Sequence, residues 1–260
     1  MAEHLLPTIT RILARYPAPN FAEGLTTQSL GQPDVVRAMQ QYETYLNALR
    51  DCGLTVTVAP AEPAYPDGHF VEDPLIIFHD LAVVCHSGAP ARRGEAQGLL
   101  SHLGDLRVIE IDGDDAFMDG GDVLICADRV LVGISERTTI AGADALKRAL
   151  QTVRADIIVD YVEFEGVLHL KSGVTELAPG VLIHDPQLQT DYAFAGEVIT
   201  LPDEEGYAAD VMPMNDTLFL AAGYPTAYDI ARRYYQQIIT LDMSEFQKMD
   251  GGLTCLSLRY

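Results

Sequence analysis

Asp122-Val123-Leu124-Ile125-Cys126-Ala127-Asp128-Arg129-Val130-Leu131-Val132-Gly133-Ile134 decides how this chain is read. Val123 to Cys126 is a short apolar run of strand length, Ala127-Asp128-Arg129 a tight turn, and Val130 to Ile134 a second strand. From Thr139 to Val153, the residues Ile140, Ala143, Leu146, Leu150 and Val153 recur at helical spacing, and Ile157-Ile158-Val159 then predicts a third strand. The unit is strand, turn, strand, helix, strand.

The same order recurs on both sides. Leu75 to Phe78 turns at His79-Asp80 into Leu81 to Cys85, followed by an expected helix over Glu95 to Leu103 and a strand over Arg107 to Ile111. A further copy has strands Val167 to Leu170 and Val181 to Ile183, with a weak helix after them. Another has Thr217 to Leu220 as its leading strand, a helix over Thr226 to Gln237 and a strand over Ile238 to Leu241. The last is split between the ends: a strand over Thr254 to Leu258, a helix over Pro33 to Arg50 and a strand over Leu54 to Val58. Leading strands about 40–50 residues apart are the mark of a repeat architecture. Five units, one shared by the two ends, predict a closed ring with no exposed edges, and a single domain over residues 1–260. An open α/β sheet is the alternative, but the pairs Gly120-Gly121 and Gly251-Gly252 form no GxGxxG fingerprint and there is no P-loop.

In such a ring equivalent positions converge on the axis. Asp73, Asp119, His169 and Cys255 each stand at or just before a different leading strand, so four residues distant in sequence are expected to face one pocket. A cysteine nucleophile needs its thiolate favoured, and nearby carboxylates oppose that unless the substrate itself is cationic. Held between Asp73 and Asp119, a planar guanidinium presents forked donors to carboxylates and helps ionise Cys255. His169 then serves as proton donor to a leaving amine and as base toward water. Arg92, in the loop Gly88 to Glu95, and Arg137, in the matched loop Ile134 to Thr139, suggest a clamp for a substrate carboxylate. Each feature has a duller counterpart: a core histidine, a turn, a solvated arginine pair.

Composition narrows the classes. The chain has 260 residues, of which 48% are apolar and 21% charged, so a globular core is expected. A net charge of −21 disfavours nucleic acid and anionic membranes as partners and suits a small cationic substrate. Leu5-Leu6-Pro7 is followed by Thr8, Thr10 and Arg11, and no apolar stretch is long enough to span a membrane, so a cytoplasmic protein is expected. Cys52, Cys85, Cys126 and Cys255 form no CxxC pair. Cys85 and Cys126 read as small buried hydrophobes, and no metal-ligand spacing occurs among the histidines.

The motifs Glu23-Gly24-Leu25-Thr26, Pro66-Asp67-Gly68-His69-Phe70-Val71-Glu72-Asp73, Ala91-Arg92-Arg93-Gly94-Glu95, Met118-Asp119-Gly120-Gly121-Asp122, Ser135-Glu136-Arg137-Thr138, Leu168-His169-Leu170-Lys171-Ser172 and Asp250-Gly251-Gly252-Leu253-Thr254-Cys255 resemble, in order and spacing, those of the dimethylarginine dimethylaminohydrolases. These belong to the guanidino-group-modifying (pentein) superfamily, whose fold is the five-bladed α/β propeller. The resemblance implies hydrolysis of Nω-methylated arginine to citrulline and a methylamine, without metal or organic cofactor. It implies Cys255 as nucleophile, His169 as acid and base, and Asp119 holding the guanidinium and orienting His169. Asp73, with Glu72 beside it, would bind another edge; Arg92 and Arg137 would grip the α-carboxylate; Asp67 would support the amino-acid end; Leu25 would lie on a covering loop. Lys171 to Val174 and Leu256-Ser257-Leu258 depart from the animal enzymes, which bears on substrate choice. A deiminase, an amidinotransferase and a non-catalytic binding protein for cationic amino acids remain open, and so does the oligomeric state, a homodimer included.

Overall fold

The computed structural model describes Leu5 and residues 7–260; Leu6, inside the N-terminal stretch noted above, lies outside the described residues. In the first unit β1 (Arg11–Arg15) runs parallel to β2 (Thr55–Ala59) through α1 (Val35–Asp51). The second unit holds β3 (Leu75–Phe78), β4 (Leu81–Val84), α2 (Gln97–Leu100) and β5 (Arg107–Glu110). The third holds β6 (Val123–Ile125), β7 (Val130–Ile134), α3 (Ile140–Gln151) and β8 (Val159–Glu163). The fourth holds α4 (Leu170–Gly173), β9 (Val174–Ala178), β10 (Val181–His184) and β11 (Glu197–Thr200). The fifth holds β12 (Met212–Met214), β13 (Thr217–Ala221), α5 (Pro225–Ala231) and β14 (Gln237–Leu241). After α6 (Ser244–Gln247), β15 (Leu258–Arg259) pairs antiparallel with β1, Ile12 opposite Arg259, and returns the chain to its start. The result is five three-stranded sheets. In each, the middle strand is antiparallel to the leading strand and parallel to the closing one, which requires the long crossover where α1, α3 and α5 sit.

The middle strands explain the ring. Side chains alternate between strand faces. Ile12 and Ala14 of β1 enter one core while Leu13 enters another. Ala82 and Val84 share Leu13's core, whereas Leu81 and Val83 face a core completed by Val130 and Val132. Leu131 and Leu182 meet in the next, Ile183, Leu218 and Leu220 in the next, and Phe219 and Ala221 return to the core of Ile12. Five cores thus each join two neighbouring sheets. Burial on both faces is why these strands read as unbroken apolar runs. The two long helices follow from sequence as well: Asp34 caps α1 by accepting from Val36 N and Arg37 N, and Thr139 caps α3 through Gly142 N.

Several expected elements differ. The helix over Glu95 to Leu103 shrinks to α2, which buries only Leu99 and has no broad apolar face to sustain it. The helix over Thr226 to Gln237 ends at Ala231, in a turn before β14. Strand β8 begins at Val159 and runs outward to Glu163, leaving Ile157 and Ile158 before it. Val167 to Leu170 is not a strand: His169 stands at the entry of α4, and the leading strand is β9, since an apolar run this short does not separate strand from turn. Thr217 to Ala221 is a middle strand; its leading partner is Met212-Pro213-Met214, in which the proline masks the strand signal. Thr254 to Leu256 forms a 3-10 turn, so Cys255 precedes the last strand instead of starting it. Strand β1, the middle strand of the split unit, had no counterpart in the sequence reading.

Candidate active site

Residues in or just before the leading strands reach the neighbouring unit, and these links close around the axis. Asp73, ahead of β3, accepts on Oδ1 from Gly121 N at 3.0 Å. Asp122, ahead of β6, accepts on Oδ1 from Leu170 N at 2.9 Å. Thr175 Oγ1 donates to the carbonyl of Ala209 and accepts from Val211 N. Asp210, ahead of β12, accepts on Oδ2 from Thr254 N at 3.2 Å. Glu72 N donates to the carbonyl of Cys255 at 3.3 Å, which completes the circuit. Close approach demands glycine at Gly121, where a Cβ would stand 2.5 Å from His169 Nδ1 and 2.7 Å from Asp73 Oδ1.

Inside this circuit lies a cavity of about 740 Å³ lined by Cys255, His169, Gly252, Asp210, Glu72 and Lys171 among others. His169 is 5% exposed, with Nε2 3.4 Å from Asp119 Oδ2 and Nδ1 3.8 Å from Asp73 Oδ1. Burial alone would lower its pKa, but Asp73, Asp119 and Asp122 outweigh it and raise it to about 9, so the ring is an imidazolium at neutral pH. Burial likewise opposes ionisation of Asp119, yet His169, Arg92 and the Ser87 hydroxyl, 2.7 Å away, hold its carboxyl below the usual range. Cys255 shows the reverse balance. Burial pushes its thiol well up, and Asp210, Glu72 and Asp73 push it further; the one opposing contact is Gly252 N, 3.4 Å from Sγ. The site therefore pairs a proton donor with a thiol that needs a cation beside it to ionise.

Of the four residues expected to face one pocket, His169 and Cys255 line the same cavity, while Asp73 and Asp119 stand against His169 without being among that cavity's lining residues. The other expected residues are placed differently. Arg92 is buried and committed: Nε and Nη2 donate to the Glu95 carboxylate, Nη1 to Asp73 Oδ2, and Nη2 also to the carbonyl of Phe70. It is not presented to the cavity of Cys255. Arg137 touches Asp119 Oδ2 at 3.5 Å and keeps 18% of its side chain exposed. Glu72 is engaged through Oε1 by both Lys171 and Arg259, while Oε2 has no hydrogen-bond partner. Glu72 and Lys171 also face a second cavity, of about 400 Å³, and so form part of the partition between the two. Asp67 accepts on Oδ2 from Leu25 N at 3.0 Å. The segment after Leu25 is fastened to Asp250: Thr27 N and Oγ1, Thr26 Oγ1 and Gln28 Nε2 all donate to that carboxylate. Of the cysteines expected to be buried, Cys126 is, whereas Cys85 is partly exposed.

Asp210, Lys171, Asp122 and Arg259 were missed. For Asp210 the signal was present: it stands two residues before β12, as Asp73 stands two residues before β3. Taking Thr217 as the leading strand hid it.

Comparison with known proteins places the chain. The arginine deiminase family profile matches residues 104–212. The N(G),N(G)-dimethylarginine dimethylaminohydrolase of Pseudomonas aeruginosa is 34% identical over 260 residues, covering 96% of this chain and 98% of the relative. The Streptomyces coelicolor enzyme of that name is 34% identical over 253 residues, covering 96% of each. A solved structure of the Pseudomonas aeruginosa protein, a cysteine-to-serine variant complexed with citrulline, superposes with a TM-score of 0.88 at 32% identity, over 97% of this chain and 100% of that one. The N-terminal domain of ArgZ, a cyanobacterial arginine dihydrolase, shares the fold at a TM-score of 0.83 and 18% identity. With similarity running through all five sheets and the whole length of both chains, this protein belongs to the dimethylarginine dimethylaminohydrolase family.

Proposed function

We propose that this chain is a hydrolase that converts Nω-methylated arginine to citrulline and a methylamine through a covalent cysteine intermediate. The observation that carries the proposal is one cavity lined by Cys255, His169 and the carboxylates of Glu72 and Asp210, whose charge and burial favour a protonated histidine and a neutral thiol. Entry of a guanidinium supplies the missing positive charge and lowers the Cys255 pKa, and the thiol releases its proton to solvent. The thiolate adds to the guanidinium carbon, forming the C–S bond. His169 gives its proton to the methylated nitrogen, the C–N bond breaks, and the amine departs, leaving an S-alkylthiouronium. Neutral His169 then takes a proton from water as its oxygen adds to the same carbon. The C–S bond breaks, the added hydroxyl releases its remaining proton to solvent as the carbonyl of citrulline forms, and the thiolate returns. Asp73 and Asp119 hold the guanidinium, and Asp119 orients His169. Arg137 receives the substrate carboxylate, with Leu25 and Asp67 over the amino-acid end.

A net charge of −21 supports a small cationic substrate, which it attracts, rather than nucleic acid. Cys52, Cys85, Cys126 and Cys255 are all free thiols, which supports a reducing, cytoplasmic setting. No helix among the described residues is long and apolar enough to cross a membrane.

The test is citrulline formation from asymmetric dimethylarginine, monomethylarginine and arginine in parallel. Methylated substrates are expected to turn over, and Cys255→Ser to lose about a thousandfold or more in kcat while still binding ligand. Turnover of arginine alone would move the activity to a deiminase; unchanged turnover in Cys255→Ser would end the covalent mechanism.

A further inference from the structure

One axial carboxylate takes no part in these steps. Asp210 is 5% exposed and lines the cavity of Cys255 and His169. Its Oδ2 is held by Thr254 N, and a Cβ on Gly252 would stand 1.9 Å from that oxygen, so the carboxylate is clamped against the nucleophile's loop. Oδ1 is buried and makes no hydrogen bond of ordinary geometry among the described residues, although the Thr254 hydroxyl, itself unpartnered, acts on the carboxylate. Burial, then the charge of Glu72, push its carboxyl up to about 6, so the group is ionised at neutral pH. A buried carboxylate oxygen left unpaired is costly, and a ligand donor is what would satisfy it.

Ring order says which donor. Going round the axis, the leading residues run Cys255, Asp73, Asp119, His169, Asp210 and back to Cys255. Asp73 and Asp119 occupy one arc between nucleophile and acid, and Asp210 alone occupies the other. The guanidinium carbon has to reach Sγ and the leaving nitrogen has to reach His169. With the retained nitrogens on Asp73 and Asp119, the leaving nitrogen falls on the side of Asp210. We propose that Asp210 Oδ1 accepts a hydrogen bond from the leaving nitrogen, so that this enzyme selects guanidino substrates whose leaving nitrogen keeps a hydrogen, monomethylarginine ahead of asymmetric dimethylarginine. The inference rests on the hydrolase function above and names its substrate class. Monomethylarginine offers N–H to Oδ1. The dimethylated nitrogen offers two methyl groups and leaves the oxygen unpaired, the situation in which a hydrogen-bonding site discriminates most strongly.

The experiment compares kcat/KM for the two substrates in the wild type and in Asp210→Asn. Asparagine retains an acceptor for Thr254 N but turns an NH2 group toward the substrate. The wild type is expected to favour monomethylarginine by about tenfold or more, and Asp210→Asn to collapse that ratio, over and above any change that both substrates share through the Cys255 thiol. A purely structural role for Asp210 would lower both substrates alike and leave the ratio intact, which would overturn the proposal. Should Asp210→Asn prove inactive, calorimetric affinities of both ligands for Cys255→Ser, with and without Asp210→Asn, read the same ratio without turnover. An unchanged affinity ratio overturns the proposal there too. Absence of turnover in the wild type itself would sink the hydrolase function, and the affinity ratio would still decide the role of Asp210.

Discussion

The loops after β4 and β7 occupy equivalent places in neighbouring units, and each supplies an arginine that the sequence assigned to the same task. In the first, Arg92 is enclosed by Asp73, Glu95 and backbone carbonyls, each of its nitrogens engaged. In the second, Arg137 makes a long side-chain contact with Asp119 and remains partly exposed. Equivalent position therefore does not mean equivalent role. A buried guanidinium whose donors are taken holds the structure together, and one with spare donors on a partly exposed side chain is available to a ligand.

The comparison breaks first at Arg92. Arg92→Ala leaves the Asp73 and Glu95 carboxylates buried without their cation, and is expected to destabilise the fold by about 3–5 kcal/mol. A fall in melting temperature on the order of 10 °C would register it; an unchanged melting temperature with a raised KM would restore Arg92 to the substrate clamp.

Next in size is the pH response of the histidine between the two arginine–carboxylate pairs. Its pKa is raised to about 9, so its contribution is complete below the unfolded value near 6.5 and is lost as pH rises through 9. The expected loss over that window is about 3 kcal/mol, absent in His169→Asn, and denaturant titrations of both proteins at the two ends of the window measure it. Equal slopes in both would show that Asp73 and Asp119 are spent on the arginines and leave His169 unperturbed.

The smallest effect sharpens the contrast from the other side. Arg137→Ala is expected to raise KM for methylarginine about ten- to a hundredfold through one lost charged contact, with the melting temperature nearly unchanged. A large loss of stability instead would make the two loops alike.

How much was readable can be followed element by element. The third unit was nearly complete in sequence because Val130 to Ile134 is buried on both faces and Thr139 caps a long amphipathic helix. The fourth and fifth units were read out of phase. Val167 and Leu170 are apolar because they pack into the core of Leu131 and Leu182 without forming a strand, and Pro213 hides a leading strand. That error of phase cost Asp210, although Asp73, Asp119, His169 and Cys255 survived it, since each still precedes its strand by a few residues.

The sequence by itself determined the repeat and the ring and singled out the residues proposed as nucleophile, acid and guanidinium carboxylates, because apolar strand runs and the position before a leading strand are local patterns that recur along the chain. Only the tertiary structure decided which charges are spent on one another and which are left for a ligand. Arg92 and Arg137, or Asp73 and Asp210, look alike along the chain. Arg92 is separated from Arg137 by carboxylates of its own unit that the folded loop encloses, whereas Asp73 and Asp210 are separated by Gly121 and Thr254 of neighbouring units, brought within hydrogen-bond distance only when the ring closes.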